Sequence, residues 1–371
     1  MLRILNVIPY AYLPPRSGGA FCVYYQHKYM CRYAKLFVAG SKQNAHQSEF
    51  EQLPVFSNSI LRYANPVLFF TLRNLIRKHQ LEVIQADHHY LAWLLVPLSR
   101  WMKIPLIIRS HNIEFQRFKT LDKWWWPIMR QYELWAYRNC AQVWFITEED
   151  KQVVQQQLPK ATTRWELFRY GTELTQPPTD RAACKQNVKE KHSIPAEHCI
   201  LLFNGSLSYE PNRKGLDVLL HQINPMLAEA GIPYTLIICG NQLPAAYNNL
   251  EAYKNQHILY AGFVDDIGIY FKAADIFLNP IVSGGGVKTK LVDAIAYNTF
   301  AVSTENGAIG LEPHCTGSQL VRVADNEWLL FAEKVLSAMK NVPQFDTPSA
   351  FYSTYSWNEN ARSRIEQINL K

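Results

Sequence analysis

The chain has 371 residues, 48% of them hydrophobic and 19% charged; this length points to two domains, and the apolar fraction suffices for two cores, which excludes a disordered chain. Its 16 Gly and 20 Pro exclude a collagen-like or low-complexity sequence. The net charge of +7 is uneven: residues 1–175 carry +10 and residues 176–371 carry −3, and eight of the ten tryptophans lie in the first part.

A basic, Trp-rich half is expected either to meet something anionic, a membrane face or a phosphate-bearing acceptor, or to be a solvated surface with packed tryptophans. Nucleic acid is not expected, since the basic residues are dispersed and no recognised module is present. No apolar stretch reaches the length of about 18 residues that a membrane span needs. The longest, YLAWLLVPL at residues 90–98, carries a proline. The opening MLRILNVIPY reads as a strand rather than a secretory leader. Seven cysteines without a C-x-x-C pair fit a reducing compartment, so a cytoplasmic location is expected.

In chain order, residues 2–9 predict a strand and residues 19–33 a helix. Residues 81–86, 105–110 and 141–146 predict buried parallel strands, with helices over 66–78 and 127–138. The pattern breaks near residues 172–198, which are polar and proline-containing and read as the domain boundary. It resumes with strands at 199–205, 234–240, 257–262, 275–280 and 300–304. Helices are predicted over 211–229, 265–273, 288–297 and 326–340, and a last one from about Trp357. The β-α-β alternation implies an α/β chain of two doubly wound parallel-sheet domains, with ligands outside the carboxyl ends of the strands and a cleft between the sheets.

The strongest local signal follows the strand at 275–280: Ser283-Gly284-Gly285-Gly286-Val287-Lys288-Thr289-Lys290. Three glycines leave peptide N–H groups uncovered, a helix begins directly after them, and Lys288 and Lys290 add charge, a combination suited to a diphosphate. It is neither a Walker A sequence nor a dinucleotide fingerprint. A second loop, Asn204-Gly205-Ser206 followed by Arg213-Lys214-Gly215, likewise links strand to helix. Gly18-Gly19 does so more weakly. Asp293, inside the helix that the triple glycine opens, is placed to accept hydrogen bonds from ribose hydroxyls if it faces the cleft, and is otherwise an exposed carboxylate. His111 closes a buried strand, where an imidazole can bond a sugar hydroxyl or phosphate; a lone histidine there is as readily a satisfied polar residue. His88-His89 lacks a third ligand and reads as non-metal. No Ser-His-Asp or Cys-His grouping is assembled from spacing alone.

Taken together, LLFNGSLSYEPNRKG, IICG, AGFVDD, ADIFLNP, GGGVKTKLVDAIAYNTFAVST and NGAIGLE, with IIRSHNIE, PPRSGGA and RYGTEL before them, resemble glycosyltransferase family 4 over nearly the whole chain. They are similar to a subset with a GGG-x-K-x-K donor loop. The resemblance implies a GT-B fold of two Rossmann-like domains facing a cleft. Residues 1–172, with a final helix at 356–371 packed back on them, would bind the acceptor, and residues 173–355 the nucleotide sugar. It implies transfer of a sugar from a nucleotide-diphosphate sugar to a glycan, lipid-linked or other acceptor, with retention, in cell-envelope polysaccharide synthesis. No cofactor is implied; the donor is a substrate. The absence of an Asp-x-Asp sequence fits metal-independent transfer.

By the same likeness Lys214 neutralises the donor diphosphate, Gly285-Gly286 donate to it, Asp293 takes the place of a ribose-binding glutamate, His111 lies near the donor sugar, and Gly18-Gly19 close over the phosphates. The chain departs from the family where Gly285 replaces the first of two glutamates, Ser283 an acidic residue, and Ser206 an arginine whose charge Arg213 would supply. These departures leave room for a catalytically impaired nucleotide-sugar-binding partner or sensor, or for an epimerase on the same fold.

Overall fold

The runs at 2–9, 81–86, 105–110 and 141–146 are strands of one parallel sheet in the computed structural model, which describes residues 1–15, 17–44, 49–343 and 345–368. Chain contacts divide the molecule into two units, Met1–Gly171 together with the residues from Trp357 onward, and Thr172–Ser356.

The first unit runs β1 (Arg3–Val7), α1 (Gly18–Met30), β2 (Lys35–Ser41), β3 (Glu51–Phe56), α2 (Val67–His79), β4 (Val83–Asp87), α3 (Ala92–Met102), β5 (Leu106–Ser110), α4 (Glu114–Thr120), α5 (Trp126–Arg138), β6 (Gln142–Phe145), α6 (Glu148–Gln157) and β7 (Arg164–Leu167). The strand order is β3-β2-β1-β4-β5-β6-β7, all parallel. The order reverses between β1 and β4, where Leu5 pairs with Ile84 and Asn6 with Gln85. Alternation then sorts the side chains. Leu5, Val7 and Ile84 join the core under α2, α3, α5 and α6, while Asn6 points to the α1 side, where it meets Asp87. α1 begins at Gly18, one residue earlier than expected, because Ser17 caps it by accepting from the Ala20 N–H (3.3 Å).

The second unit runs α7 (Arg181–Lys191), β8 (Cys199–Asn204), α8 (Glu210–Val218), α9 (Asn224–Glu229), β9 (Tyr234–Cys239), β10 (Ile258–Gly262), α10 (Ile267–Ala273), β11 (Ile276–Asn279), α11 (Thr289–Ala296), β12 (Phe300–Thr304), α12 (Pro313–Thr316), β13 (Leu320–Val323), α13 (Trp328–Lys340) and α14 (Ser349–Thr354). Its strand order is β10-β9-β8-β11-β12-β13, again all parallel, and it reverses between β8 and β11. The helix expected over 211–229 is α8 and α9 joined by a π-helical turn at Leu219–Ile223. Pro225 explains the widened turn, since it has no N–H to close an α-helical bond. The polar stretch near 172–198 is not all linker: α7 lies inside it and packs on α10.

The last helix, α15 (Trp357–Glu366), belongs to the first unit. Trp357 is buried there, stacked on Tyr25 of α1 (5.8 Å between centroids) and edge-on to Tyr170 (5.1 Å). Asn358 accepts from Tyr33 Oη (2.9 Å), Asn360 accepts from the Arg169 N–H (3.3 Å), and Arg364 pairs with Glu166. No helix among the described residues is long and apolar enough to cross a membrane; YLAWLLVPL lies mostly in α3, with Pro97 inside it.

Candidate active site

In the second unit the two glycine-bearing loops meet at the reversal point of the sheet, outside the carboxyl ends of β8 and β11. This is where open α/β sheets form a binding crevice. Gly205 has φ +148° and leaves room for the Asn212 side chain, which a Cβ would strike at 2.6 Å. Asn212 donates to the Ser206 carbonyl (2.9 Å) and so closes the β8–α8 turn on itself. The triple-glycine loop leans on the start of α8: a Cβ on Gly284 (φ +88°) would sit 3.1 Å from Tyr209 Oη and 3.4 Å from Pro211. At its base, Thr304 Oγ1 donates to the Ile281 carbonyl (2.5 Å). Gly240, at the end of β9, abuts the same turn, with a Cβ position only 2.1 Å from the Gly205 carbonyl oxygen. Gly240→Ala should therefore cost about 1–3 kcal/mol through a forced backbone shift, read as a lower urea midpoint.

The cations of this site differ in state. Lys290 is enclosed: its Nζ donates to the Asn204 carbonyl (3.0 Å) and Asn212 Oδ1 (2.9 Å) and lies over the Phe203 ring (4.6 Å). Burial, with Lys288 nearby, lowers its pKa to about 7. It ties α11 to the β8–α8 turn. Lys288 turns back on its own loop, donating to the Gly284 (2.7 Å) and Gly286 (3.1 Å) carbonyls. Lys214 stands exposed on α8 and pairs with Glu210 one turn earlier (2.8 Å). Arg213, half-buried, precedes it. Gly285 is exposed between Gly284 and the buried Gly286, Ser283 before them is half-buried, and Asp293 is half-buried in α11. The structure thus brings residues 283–290, 293 and 213–214 onto two adjoining loops and the helices they open.

In the first unit the corresponding reversal point holds a buried polar network. Asp87, the last residue of β4, accepts from Asn6 Nδ2 (2.7 Å) and faces His111 Nε2 (2.9 Å) and His27 Nε2 (3.3 Å). Tyr12 Oη lies 2.8 Å from His27 Nδ1. Burial alone would raise the Asp87 pKa, but the two histidines outweigh it and hold the carboxyl well below its ordinary value. Burial likewise opposes a charged His111, yet Asp87 and Cys22 outweigh it, so its pKa is raised. Cys22, buried in α1, has its thiol lowered despite burial because Arg109 and His111 adjoin it. The buried Arg109 donates to Cys22 Sγ (3.4 Å) and lies over the Phe168 ring (4.3 Å). The His88 ring stacks on that of His111 (4.4 Å). Gly18 and Gly19 are exposed in the first turn of α1, the helix that carries Cys22 and His27.

A Cys-His-Asp grouping therefore exists where spacing alone assembled none. Its sequence signal was Asp87, an ionisable residue ending an apolar strand, since a buried charge there requires partners.

The segment bearing His111 is braced by Glu133 of α5. Glu133 accepts from the backbone N–H groups of Phe115 (2.9 Å) and Glu114 (3.1 Å) and from Tyr137 Oη (2.8 Å). Burial nevertheless pushes its carboxyl up to about 8. A carboxyl whose folded pKa exceeds its unfolded value binds more protons folded than unfolded, so stability falls as pH rises between the two values. The urea midpoint should decline from about pH 5 to about pH 8, and Glu133→Gln should flatten that slope, a difference of about 1–3 kcal/mol at the alkaline end.

Two family models match the chain: Glycosyltransferase Family 4 over residues 29–169 and Glycosyl transferases group 1 over residues 198–341. An uncharacterized 44.6 kDa protein in the cps region of Klebsiella pneumoniae is 32% identical over 155 residues, 39% of this chain. That match spans 38% of the relative's length. Among solved structures, Anabaena HepE in complex with UDP-glucose superposes with a TM-score of 0.69 at 14% identity, covering 99% of this chain and 100% of that one. Sucrose-phosphate synthase from Thermosynechococcus elongatus gives 0.66 at 14% identity, covering 99% and 94%. WaaG, a glycosyltransferase involved in lipopolysaccharide biosynthesis, gives 0.60 at 14% identity, covering 99% and 96%.

Proposed function

This chain is a family 4-like glycosyltransferase of the GT-B fold, and from that premise we propose that it moves a sugar from a nucleotide diphosphate to a glycan or lipid-linked acceptor, with retention and without a metal. The observation that carries the donor assignment is the meeting of the 283–290 loop and the 204–215 turn at the reversal point of the second sheet. UDP-glucose bound to HepE supports a nucleotide sugar as donor. The cps-region relative and WaaG support a place in cell-envelope polysaccharide synthesis.

As the sugar departs, negative charge grows on the diphosphate. The peptide N–H groups of Gly285 and Gly286 and the start of α11 are the fixed donors for it. One such preorganised donor is worth about 3–4 kcal/mol of barrier. Lys214 adds a mobile cation. Its pairing with Glu210 is an exposed one-turn ion pair, which is weak, so a diphosphate readily replaces the carboxylate. By the family likeness Asp293 is assigned to the ribose, and Gly18-Gly19, exposed at the start of α1, to the phosphates. By the same likeness His111, its ring set by Asp87, is the residue assigned to the donor sugar.

The test is release of nucleoside diphosphate from candidate donors in EDTA, with the anomeric configuration of the product read by NMR. Turnover undiminished by the chelator and a retained configuration are expected. Loss of activity that manganese restores, or an inverted product, overturns the mechanism.

A further inference from the structure

The Trp-rich basic character of the first unit is not used by the donor chemistry, and the structure gathers it onto the helical layer formed by α2, α3, α4 and α5. Ten of the seventeen large apolar side chains exposed among the described residues lie between Ile60 and Trp135. They stand well out: Trp124 is 83% exposed, Ile60 75% and Trp101 62%.

Contacts join several of them into a strip across α2, α3 and α5. Phe69 packs on Phe70 (5.5 Å) and Trp101 (5.7 Å), uniting α2 and α3, and the Arg73 guanidinium lies 5.8 Å over the Trp101 ring. Trp93 Nε1 donates to the Tyr63 carbonyl (2.9 Å), which attaches the single turn Ile60–Tyr63 to α3. The Trp93 N–H donates to Tyr132 Oη (3.1 Å), which attaches α3 to α5. Between Ser59 and Asn139, eleven lysines and arginines lie at or near the surface against two acidic residues, Glu82 and Asp122. Arg109, Asp87, Glu114 and Glu133 are the buried charges of this segment.

We propose that this strip is a docking surface for an anionic lipid bilayer. Protruding tryptophans with isoleucine and leucine suit the headgroup boundary, where an amphipathic ring keeps its N–H wet and its apolar edge buried. The surrounding cations match a negative leaflet. A protein partner fits less well, because lysine is depleted from the cores of protein interfaces, whereas Lys78, Lys103, Lys119 and Lys123 are exposed here. The assignment does not depend on the donor site, which lies in the other unit.

Flotation of the full chain with phosphatidylcholine vesicles, with and without an equimolar share of phosphatidylglycerol, tests it. Binding is expected only to the anionic vesicles and should weaken as sodium chloride rises. The pair Trp124→Ser and Ile128→Ser should weaken it about tenfold, and Lys119→Glu with Lys123→Glu by at least as much. Both pairs sit on the surface, so far-UV circular dichroism and donor hydrolysis in lipid-free buffer should be unchanged. Equal binding to neutral vesicles, no binding at low salt, or no response to the substitutions overturns the proposal. So does sedimentation of the lipid-free chain as a dimer that the same substitutions dissolve, which would give the surface to a second copy. Vesicle binding by a chain that turns over no donor would leave this surface standing and sink the donor reading instead.

Discussion

Replacing His111 with alanine should slow sugar transfer by about 10²–10³-fold while nucleotide-sugar affinity changes by less than about fivefold. His111 is nearly buried, its Nε2 is committed to Asp87 at 2.9 Å, and His88 stacks on its face at 4.4 Å. A ring so held keeps one orientation, and orientation is what a group beside a reacting sugar must supply. Asp87→Asn is the companion variant. It keeps the shape and Asn6's neighbour but removes the charge that raises the His111 pKa, so transfer should fall by about tenfold or more and its pH profile should shift.

The same pair sets a stability window. The depressed Asp87 contributes above its unfolded value near 4, and that contribution is lost as pH falls through its folded value. The raised His111 contributes below its unfolded value near 6.5, and that contribution is lost as pH climbs through its folded value. Wild type minus Asp87→Asn should therefore show its largest stability difference between those values. A flat difference from about pH 4 to pH 8 would mean that the two residues do not exchange charge as described.

Lys214→Ala should lower kcat by about 10²-fold or more, against a much smaller change in donor dissociation constant. In the free protein the ammonium faces Glu210 on the helix surface, so its removal leaves packing untouched and the urea midpoint should stay within error. The comparison separates enzyme from binding protein. A nucleotide-sugar sensor has only affinity to lose, whereas an enzyme loses rate in excess of affinity. Lys290 gives a contrasting result. Enclosed by Phe203, Asn204 and Asn212, its substitution by methionine should loosen the β8–α8 turn, raising KM and lowering stability together.

The buried strands were legible because parallel strands covered on both faces are near-continuous apolar runs, as in CILLFN of β8. Three of the four edge strands were not; the fourth, β10, is the strand expected at 257–262. EQLPVF of β3 and RWEL of β7 are half-exposed and the former contains a proline, so neither stands out from loop sequence. β13, also at an edge, was missed for the same reason. β2 begins only a few residues after α1, without glycine or proline to mark the change. α7 has little more than Val188 to bury and so reads as linker.

The donor loops could be found because their glycines and lysines are contiguous in sequence. The Asp87 network could not, since Asn6, His27 and His111 stand 81, 60 and 24 residues from Asp87 and only the strand order makes them neighbours. Nor does a glycine-lysine pattern disclose that Lys290 points inward; that follows from the Phe203 ring beneath it.

The first unit is completed by a helix that follows the whole of the second in the chain. During translation, residues 1–171 emerge with the groove for Trp357 empty, its Tyr25, Phe168 and Tyr170 walls open to solvent. They must wait for some 185 further residues before α15 arrives to fill it. The unit made first is thus the one finished last, and a nascent chain stalled short of Trp357 displays an aromatic slot that chaperones would recognise.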